Sequence, residues 1–211
     1  MDTRQAYNVW AGQYDTNINK TRDLEATALR ETLGNIPFDA ALEIGCGTGK
    51  NTVWLKEHAK QLTSVDLSEE MLAKARQKVN DAHVKFVQAD IMQPWHFAEN
   101  NQYNLVSFSL VLEHIENLFP VFQQVSSVLC PGGYVYIGEL HPFKQYAGSK
   151  ARFETENGTQ IVNCFNHHVS DFTEAGKEYG LDVYDVKEYF DDNDRTTLPR
   201  LLVAVLKKNN V

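Results

Sequence analysis

The stretch Leu42–Thr52 reads LEIGCGTGKNT. A short apolar run falls into Gly45, Gly47 and Gly49, with Lys50 and Asn51 behind them. Glycines so spaced mark a backbone that turns tightly or that a ligand approaches closely. An ATP-type phosphate loop requires G-x-x-x-x-G-K-[ST]. Gly49-Lys50 supplies its end, but Ile44 stands where the first glycine is needed and Asn51 replaces the metal-binding hydroxyl. A dinucleotide loop requires G-x-G-x-x-G/A, and Lys50 holds the third position, where it would crowd the helix–strand contact. That second reading is weakened, not removed.

Around the loop, strand-like runs and helical periodicity alternate. Strands are expected over Ala40–Gly45, Gln61–Leu67, His83–Asp90, Tyr103–Leu110, Gly133–Leu140, Leu181–Phe190 and Arg200–Lys208. Helices are expected over Arg22–Leu33, Asn51–His58, Glu69–Val79, Asn117–Leu129 and Asp171–Tyr179. Strands joined through helix-length connectors predict βαβ units and a parallel sheet, and near-continuous apolar strands predict helices on both faces. The last two strands are joined by DDNDRTTLP, which has no helical pattern, so they are expected to pair antiparallel. Between His141 and Ser170 the alternation stops. Asn157-Gly158 is a strong hairpin turn signal, with Arg152–Glu156 and Thr159–Phe165 as arms. An insertion after the fifth strand sits where such sheets bind ligands and is read as a lid.

The 211 residues suit a single domain, 1–211, with a helical cap over 1–35 and the lid over 141–170. A hydrophobic share of 43% is that of a globular chain. No apolar run approaches the roughly 20 residues of a membrane span, and the N-terminus shows no signal-peptide pattern. The formal net charge of −8 works against a polyanionic partner, so neither nucleic acid nor membrane is expected to bind. Cys46, Cys130 and Cys164 are too scattered for a disulfide framework or a metal-ligand pair, which fits a reducing cytoplasm. His167-His168 together with His141 gives no tight ligand spacing, and no metal site is expected.

The pattern that remains is E-x-G-x-G-x-G at Glu43–Gly49. VDLSEEML (Val65–Leu72), FVQADI (Phe86–Ile91), YNLVSFSLVLEHI (Tyr103–Ile115) and VLCPGGYVYI (Val128–Ile137) follow in order, after an N-terminal Tyr14-Asp15. In these motifs the chain resembles the class I S-adenosylmethionine-dependent methyltransferases, specifically the small-molecule "type 11" kind. Cys130 stands where that family usually carries a lysine or similar residue. The resemblance implies a Rossmann-like α/β fold, with a seven-stranded, mostly parallel sheet, an antiparallel terminal strand and helices on both faces. It implies S-adenosylmethionine as cofactor and methyl transfer to a small molecule.

Cofactor-binding candidates are Tyr14, Glu43, Gly45, Cys46, Gly47, Thr48, Gly49, Asp66, Leu67, Met71, Ala89, Asp90, Ile91, Ser109 and Leu110. The helix starting near Asn51 would point free N–H groups at a carboxylate. Asp66, at a strand end about 20 residues past the loop, is placed to accept from ribose hydroxyls. Asp90 would take the adenine amino group and Ile91 would offer its N–H, while Ser109 and Leu110 would pass the methionine end. Glu43 would organise the loop, and Tyr14 would lie over the sulfonium. Candidate proton acceptors are Glu113, His114 and His141, at the carboxyl ends of neighbouring strands; histidine titrates near neutrality. Lys144 and Arg152 give the lid a local positive balance, so they and Tyr7 are read as acceptor-binding residues, with an anionic, carboxylate-bearing acceptor. Two other functions compete: an NAD-type oxidoreductase, and a cofactor-binding regulator without turnover. No [DN]-P-P-[YFW] follows the fourth strand, which argues against an adenine-modifying enzyme.

Overall fold

A computed structural model of the protein describes residues 2–156 and 158–210. Two helices open the chain, α1 (Thr3–Trp10) and α2 (Lys20–Leu33). Asp2 caps the first by accepting from the Gln5 N–H at 2.8 Å, and Asn19 caps the second by accepting from the Arg22 N–H at 3.0 Å. Then β1 (Ala40–Ile44), α3 (Thr52–His58), β2 (Gln61–Asp66), α4 (Glu69–Lys78), β3 (Val84–Gln88), β4 (Tyr103–Ser109), α5 (Phe119–Val128) and β5 (Leu129–Leu140) alternate. The insertion carries a short helix α6 (Pro142–Tyr146) and a hairpin of β6 (Arg152–Thr155) and β7 (Gly158–Ile161). Asn157 of the expected turn lies outside the described residues. The chain closes with α7 (Val169–Glu178), β8 (Leu181–Tyr189) and β9 (Leu201–Lys208).

Seven strands form one sheet in the order β3-β2-β1-β4-β5-β9-β8. The first five pair in parallel, whereas β9 pairs antiparallel with both β5 and β8. Alternate strand residues feed two cores, as the two-residue side-chain period dictates. Leu42, Ile44, Val106, Phe108, Val135, Ile137, Leu202 and Ala204 pack on the side of Phe122, Val125 and Phe172 from α5 and α7. Ala41, Leu105, Tyr136, Leu201, Val203 and Val205 pack on the opposite side against Ala28, Leu29, Leu33 and Leu55 from α2 and α3. The sheet is therefore buried on both faces, and the strand order reverses between β1 and β4 at the carboxyl ends, where ligands of such sheets bind.

A third cluster closes the top of that crevice. Ala6, Trp10 and Ala11 from the N-terminal segment meet Met71 of α4 and Phe153 and Val162 of the insertion. Trp10 stacks on Phe153 with ring centroids 5.0 Å apart. Cap and insertion thus pack on each other above the carboxyl ends of β1, β2 and β4.

Candidate active site

The three glycines of the opening loop all hold positive φ: 70° at Gly45, 53° at Gly47 and 82° at Gly49. A Cβ at Gly45 would sit 2.2 Å from Val111 Cγ2, so this residue is glycine because the turn after β4 crosses it. A Cβ at Gly49 would press on Ala75 of α4 at 3.2 Å. At Gly47 the only near atom is Tyr14 Cε1 at 3.9 Å, so this glycine faces open space. One glycine answers to chain crossing, one to helix packing, and one borders open space.

Asp66, at the end of β2, orients that loop. Its Oδ2 accepts from the Gly47 N–H at 2.7 Å and its Oδ1 from the Ser68 N–H at 2.8 Å. An ionised carboxylate can accept about four hydrogen bonds, so each oxygen keeps capacity for a ligand hydroxyl. Burial raises its pKa while those N–H donors pull the other way.

A cavity of about 520 Å³ opens here, lined among others by Tyr7, Tyr14, Gly45, Gly47, Asp66, Leu67, Ala89, Asp90, Ile91, Ser109, Leu110 and His114. Sequence reasoning missed Met92, Val111 and Ile115 on its wall, and Thr3 and Arg4 at α1. Met92, Val111 and Ile115 lie inside or beside the recognised motifs and are apolar side chains that nothing singles out, while Thr3 and Arg4 lie outside every motif.

A second cavity of about 560 Å³ lies under the cap and the insertion. Tyr7, Tyr14 and Leu110 line both cavities, so the two meet at these side chains. Leu110 has φ +59°, a left-handed backbone that costs a non-glycine residue about 1–3 kcal/mol. Its N–H is held by the Gly138 carbonyl at 2.8 Å, which fixes the strained residue at the junction. The second cavity is lined by Lys20, Arg22, Lys150, Arg152 and Arg200, with Glu113 as its acid. Asp191 accepts from both Arg200 Nε and a terminal guanidinium nitrogen, and so neutralises that arginine. Among the described residues, Lys20, Arg22, Lys150 and Arg152 form no ion pair with a carboxylate.

The turn after β4 brings Glu113 and His114 to the junction. The Tyr7 hydroxyl lies 2.8 Å from His114 Nε2, and His114 Nδ1 lies 2.9 Å from the Asn163 carbonyl. A carbonyl only accepts, so Nδ1 carries the proton and Nε2 accepts from Tyr7. Burial holds the Tyr7 phenol well above its usual pKa, with Tyr14 and Glu113 adding to the effect. Burial also raises Glu113, which His114 and the Cys164 thiol oppose. Glu113, His114 and Cys164 offer ligand atoms within 4.8 Å of one another. With both imidazole nitrogens already bonded, this is a hydrogen-bonded cluster. Glu139 of β5 pins the whole turn, its Oε1 accepting from the Val111 and Leu112 N–H groups at 2.9 and 2.8 Å.

Residues 42–137 match the family model of the methyltransferase domain. Solved S-adenosylmethionine-dependent methyltransferases share the fold across nearly the whole chain. The fold is that of the class I methyltransferases. Nodulation protein S of Sinorhizobium fredii is 30% identical over 114 residues, 52% of this chain and 51% of that protein. An uncharacterized methyltransferase of Emericella nidulans is 26% identical over 222 residues, 87% of this chain and 77% of that protein. The N-methyltransferase NodS from Bradyrhizobium japonicum, solved with S-adenosyl-L-homocysteine, superposes with a TM-score of 0.73 at 19% identity, covering 99% of each chain. The chain spans about half the length of the nodulation proteins S it matches. No helix among the described residues is long and apolar enough to cross a membrane.

Several of the expected residues of this methyltransferase domain lie off the cavities. Glu43 is buried beneath the loop, where its Oε2 accepts from the Thr52 hydroxyl at 2.6 Å and the Ser64 hydroxyl at 2.7 Å. Burial raises its pKa to about 7. Cys46 and Gly49 form the loop's inner side; Thr48 is buried and donates to Asp15 at 2.6 Å. Met71 is fully buried in the cap cluster. In the first turn of α3 the Val53 N–H donates to the Gly49 carbonyl at 3.2 Å. Lys50 pairs with Asp23 of α2.

His141 and Lys144 also stand apart from both cavities. His141 is a helix cap: its Nδ1 accepts from the Phe143 N–H at 3.1 Å and its Nε2 donates to Glu188 at 3.0 Å. β9 inserts between β5 and β8 and turns the end of β5 toward Glu188, which is why two strand-end histidines diverge. Lys144 sits on α6 within electrostatic reach of Asp191.

Proposed function

We propose that this chain is an S-adenosylmethionine-dependent methyltransferase acting on a small, anionic molecule that bears a carboxylate. The observation that carries the reading is the meeting of two cavities at Tyr7, Tyr14 and Leu110. Methyl transfer is an in-line displacement that needs donor and acceptor atoms aligned within roughly 3–3.5 Å and shielded from water. Adjoining chambers with a shared aromatic neck supply that arrangement. When bound, S-adenosylmethionine supplies an electrophilic methyl group on a sulfonium.

The residues of the first chamber fit that ligand. Gly47 leaves room for its methionine portion, and Asp66 has two carboxylate oxygens with spare acceptor capacity for the ribose. Asp90 is the acceptor for the adenine amino group and Ile91 the neighbouring backbone donor. Tyr14 lines this chamber with the Arg22 guanidinium over its ring, 4.4 Å from the centroid. Glu43, Thr48 and Gly49 shape the loop from behind. The cap over 1–35 and the insertion over 141–170 act as the lid of one domain, and their contact through Trp10 and Phe153 supports this role. Three free thiols, Cys46, Cys130 and Cys164, suit a reducing cytoplasm.

Support for an anionic acceptor comes from the unpaired Lys20, Lys150 and Arg152 in the second chamber. His114 Nε2 is the proton acceptor, reached through the Tyr7 hydroxyl, and the Asn163 carbonyl holds its tautomer. Arg152→Met is expected to raise KM for the acidic acceptor by on the order of tenfold to a hundredfold, the worth of one charge-assisted hydrogen bond, with little change in KM for S-adenosylmethionine. Lys144→Met, outside the chamber, should leave both unchanged. Equal small effects from the two variants in a methyl-transfer assay would remove the anionic-acceptor reading.

A further inference from the structure

We infer that the methyl-accepting atom is an amine nitrogen, in a small molecule that also carries an anionic group and is held in the second chamber as a zwitterion. This rests on the methyltransferase reading above and narrows its acceptor. The chamber's charges are of two kinds. Among the described residues Lys20, Lys150 and Arg152 form no ion pair and await an anion, while Arg22 is held by the Tyr14 and Asn17 carbonyls; Glu113 is a carboxylate only 6% exposed that lines the same space beside the neck. No lysine or arginine pairs with Glu113 among the described residues; its charged or titratable neighbours are His114, with Nε2 at 3.9 Å, the thiol of Cys164, the Tyr7 phenol and the buried Glu139. A buried carboxylate without a cationic partner is costly, and a ligand ammonium is the group that relieves it.

Glu113 also discriminates between acceptor atoms. If the acceptor's carboxylate were itself methylated, it would have to approach the neck against Glu113, and two like charges at close range repel strongly in a site shielded from water. An aliphatic hydroxyl can donate a hydrogen bond to Glu113 but brings it no opposite charge, and its proton is far too tightly held for an imidazole to remove efficiently. An ammonium is attracted to Glu113 and titrates near enough to histidine for the transfer. Its proton passes to the Tyr7 oxygen as Tyr7 gives its own proton to His114 Nε2. The freed nitrogen lone pair forms the bond to the methyl carbon, and the carbon–sulfur bond breaks with its electron pair left on sulfur. The products are an N-methylammonium and the neutral thioether, with the removed proton on His114 and then in solvent.

The full chain is incubated with methyl-labelled S-adenosylmethionine and two pools of small molecules. One contains amines bearing a carboxylate, sulfonate or phosphate; the other contains hydroxy acids on the same carbon skeletons. Label is expected in the amine pool, as an alkali-stable N-methyl group. Glu113→Gln should then raise KM for the active amine by on the order of tenfold to a hundredfold, with S-adenosylhomocysteine binding retained, because Glu113 does not line the first chamber. Label in the hydroxy-acid pool, or an alkali-labile methyl ester from either pool, overturns the inference. So does the absence of label in both while S-adenosylhomocysteine still stabilises the protein. A protein that S-adenosylhomocysteine fails to stabilise contradicts the methyltransferase reading instead.

Discussion

Gly45, Gly47 and Gly49 are alike in the sequence and unlike in what they tolerate. Gly45→Ala places a methyl group in Val111 and forces an L-residue into positive φ. The two effects together should lower stability by ~2–4 kcal/mol, read as a shift of the denaturant midpoint. Gly47→Ala meets no such clash and should cost ~1–2 kcal/mol in stability, its main effect being weaker cofactor binding. The motif announced a loop that binds a ligand; which glycine faces it was not legible, because that depends on Val111 and Ala75, far away in sequence. Glu139 was likewise invisible as an organiser. Burial, with the nearby charge of Glu113, raises its pKa to about 8. A carboxylate raised from 4.5 to about 8 by folding binds its proton more tightly in the native state, so its contribution to stability is full below pH 4.5 and is lost as pH rises through about 8. Glu43, raised to about 7, acts in the same sense. Thermal unfolding should therefore show Tm falling across this window, and Glu139→Gln should flatten the slope. An unchanged slope would contradict the buried, proton-binding carboxyl.

Of the elements, the strands were the most legible, since long apolar runs with helix-length spacers leave few alternatives. The observed ends differ from the expected ones by a residue or two, except at β7, which ends at Ile161 rather than Phe165, and at β5. There the strand begins at Leu129 rather than Gly133, because Tyr103 pairs with Leu129 before the register shifts around Cys130–Gly133. Helix α1 was expected only as part of the helical cap over 1–35. It serves packing and site together: Trp10 stacks on Phe153, while Tyr7 bonds to His114. The cap's attachment to the glycine loop is polar and local. Asp15 accepts from the Thr48 hydroxyl at 2.6 Å and from Lys78 Nζ at 3.0 Å, and its pKa is lowered by these two donors against the opposing effect of burial. Asp15→Ala should raise the Kd for S-adenosylhomocysteine severalfold while changing Tm by only a few degrees, because one part-exposed ion pair is worth ~1 kcal/mol or less. A large fall in Tm with unchanged Kd would show that the latch belongs to folding and not to ligand retention.

For the molecule as a whole, a chain with net charge −8 builds a chamber lined by cations. The lid's local positive balance hinted at this through Arg152. It missed Lys20 and Arg22, which come from α2, and it included Lys144, which does not line the chamber. Charge proximity is set by how cap, insertion and sheet pack, and composition cannot report it. The placement of the two histidines has the same cause: insertion of β9 between β5 and β8 sends His141 to Glu188, and the turn after β4 leaves His114 at Tyr7. The first chamber, proposed to hold the cofactor, is lined mainly by residues of the recognised motifs, with Thr3, Arg4 and Tyr7 added from α1. Its test is calorimetric titration of the full chain with S-adenosylhomocysteine and with NADH, in parallel with Asp66→Asn. Saturable binding of S-adenosylhomocysteine alone is predicted, weakened on the order of tenfold to a hundredfold by Asp66→Asn, as loss of charge-assisted hydrogen bonds requires. Binding of NADH in preference, or S-adenosylhomocysteine binding indifferent to Asp66, would contradict the account.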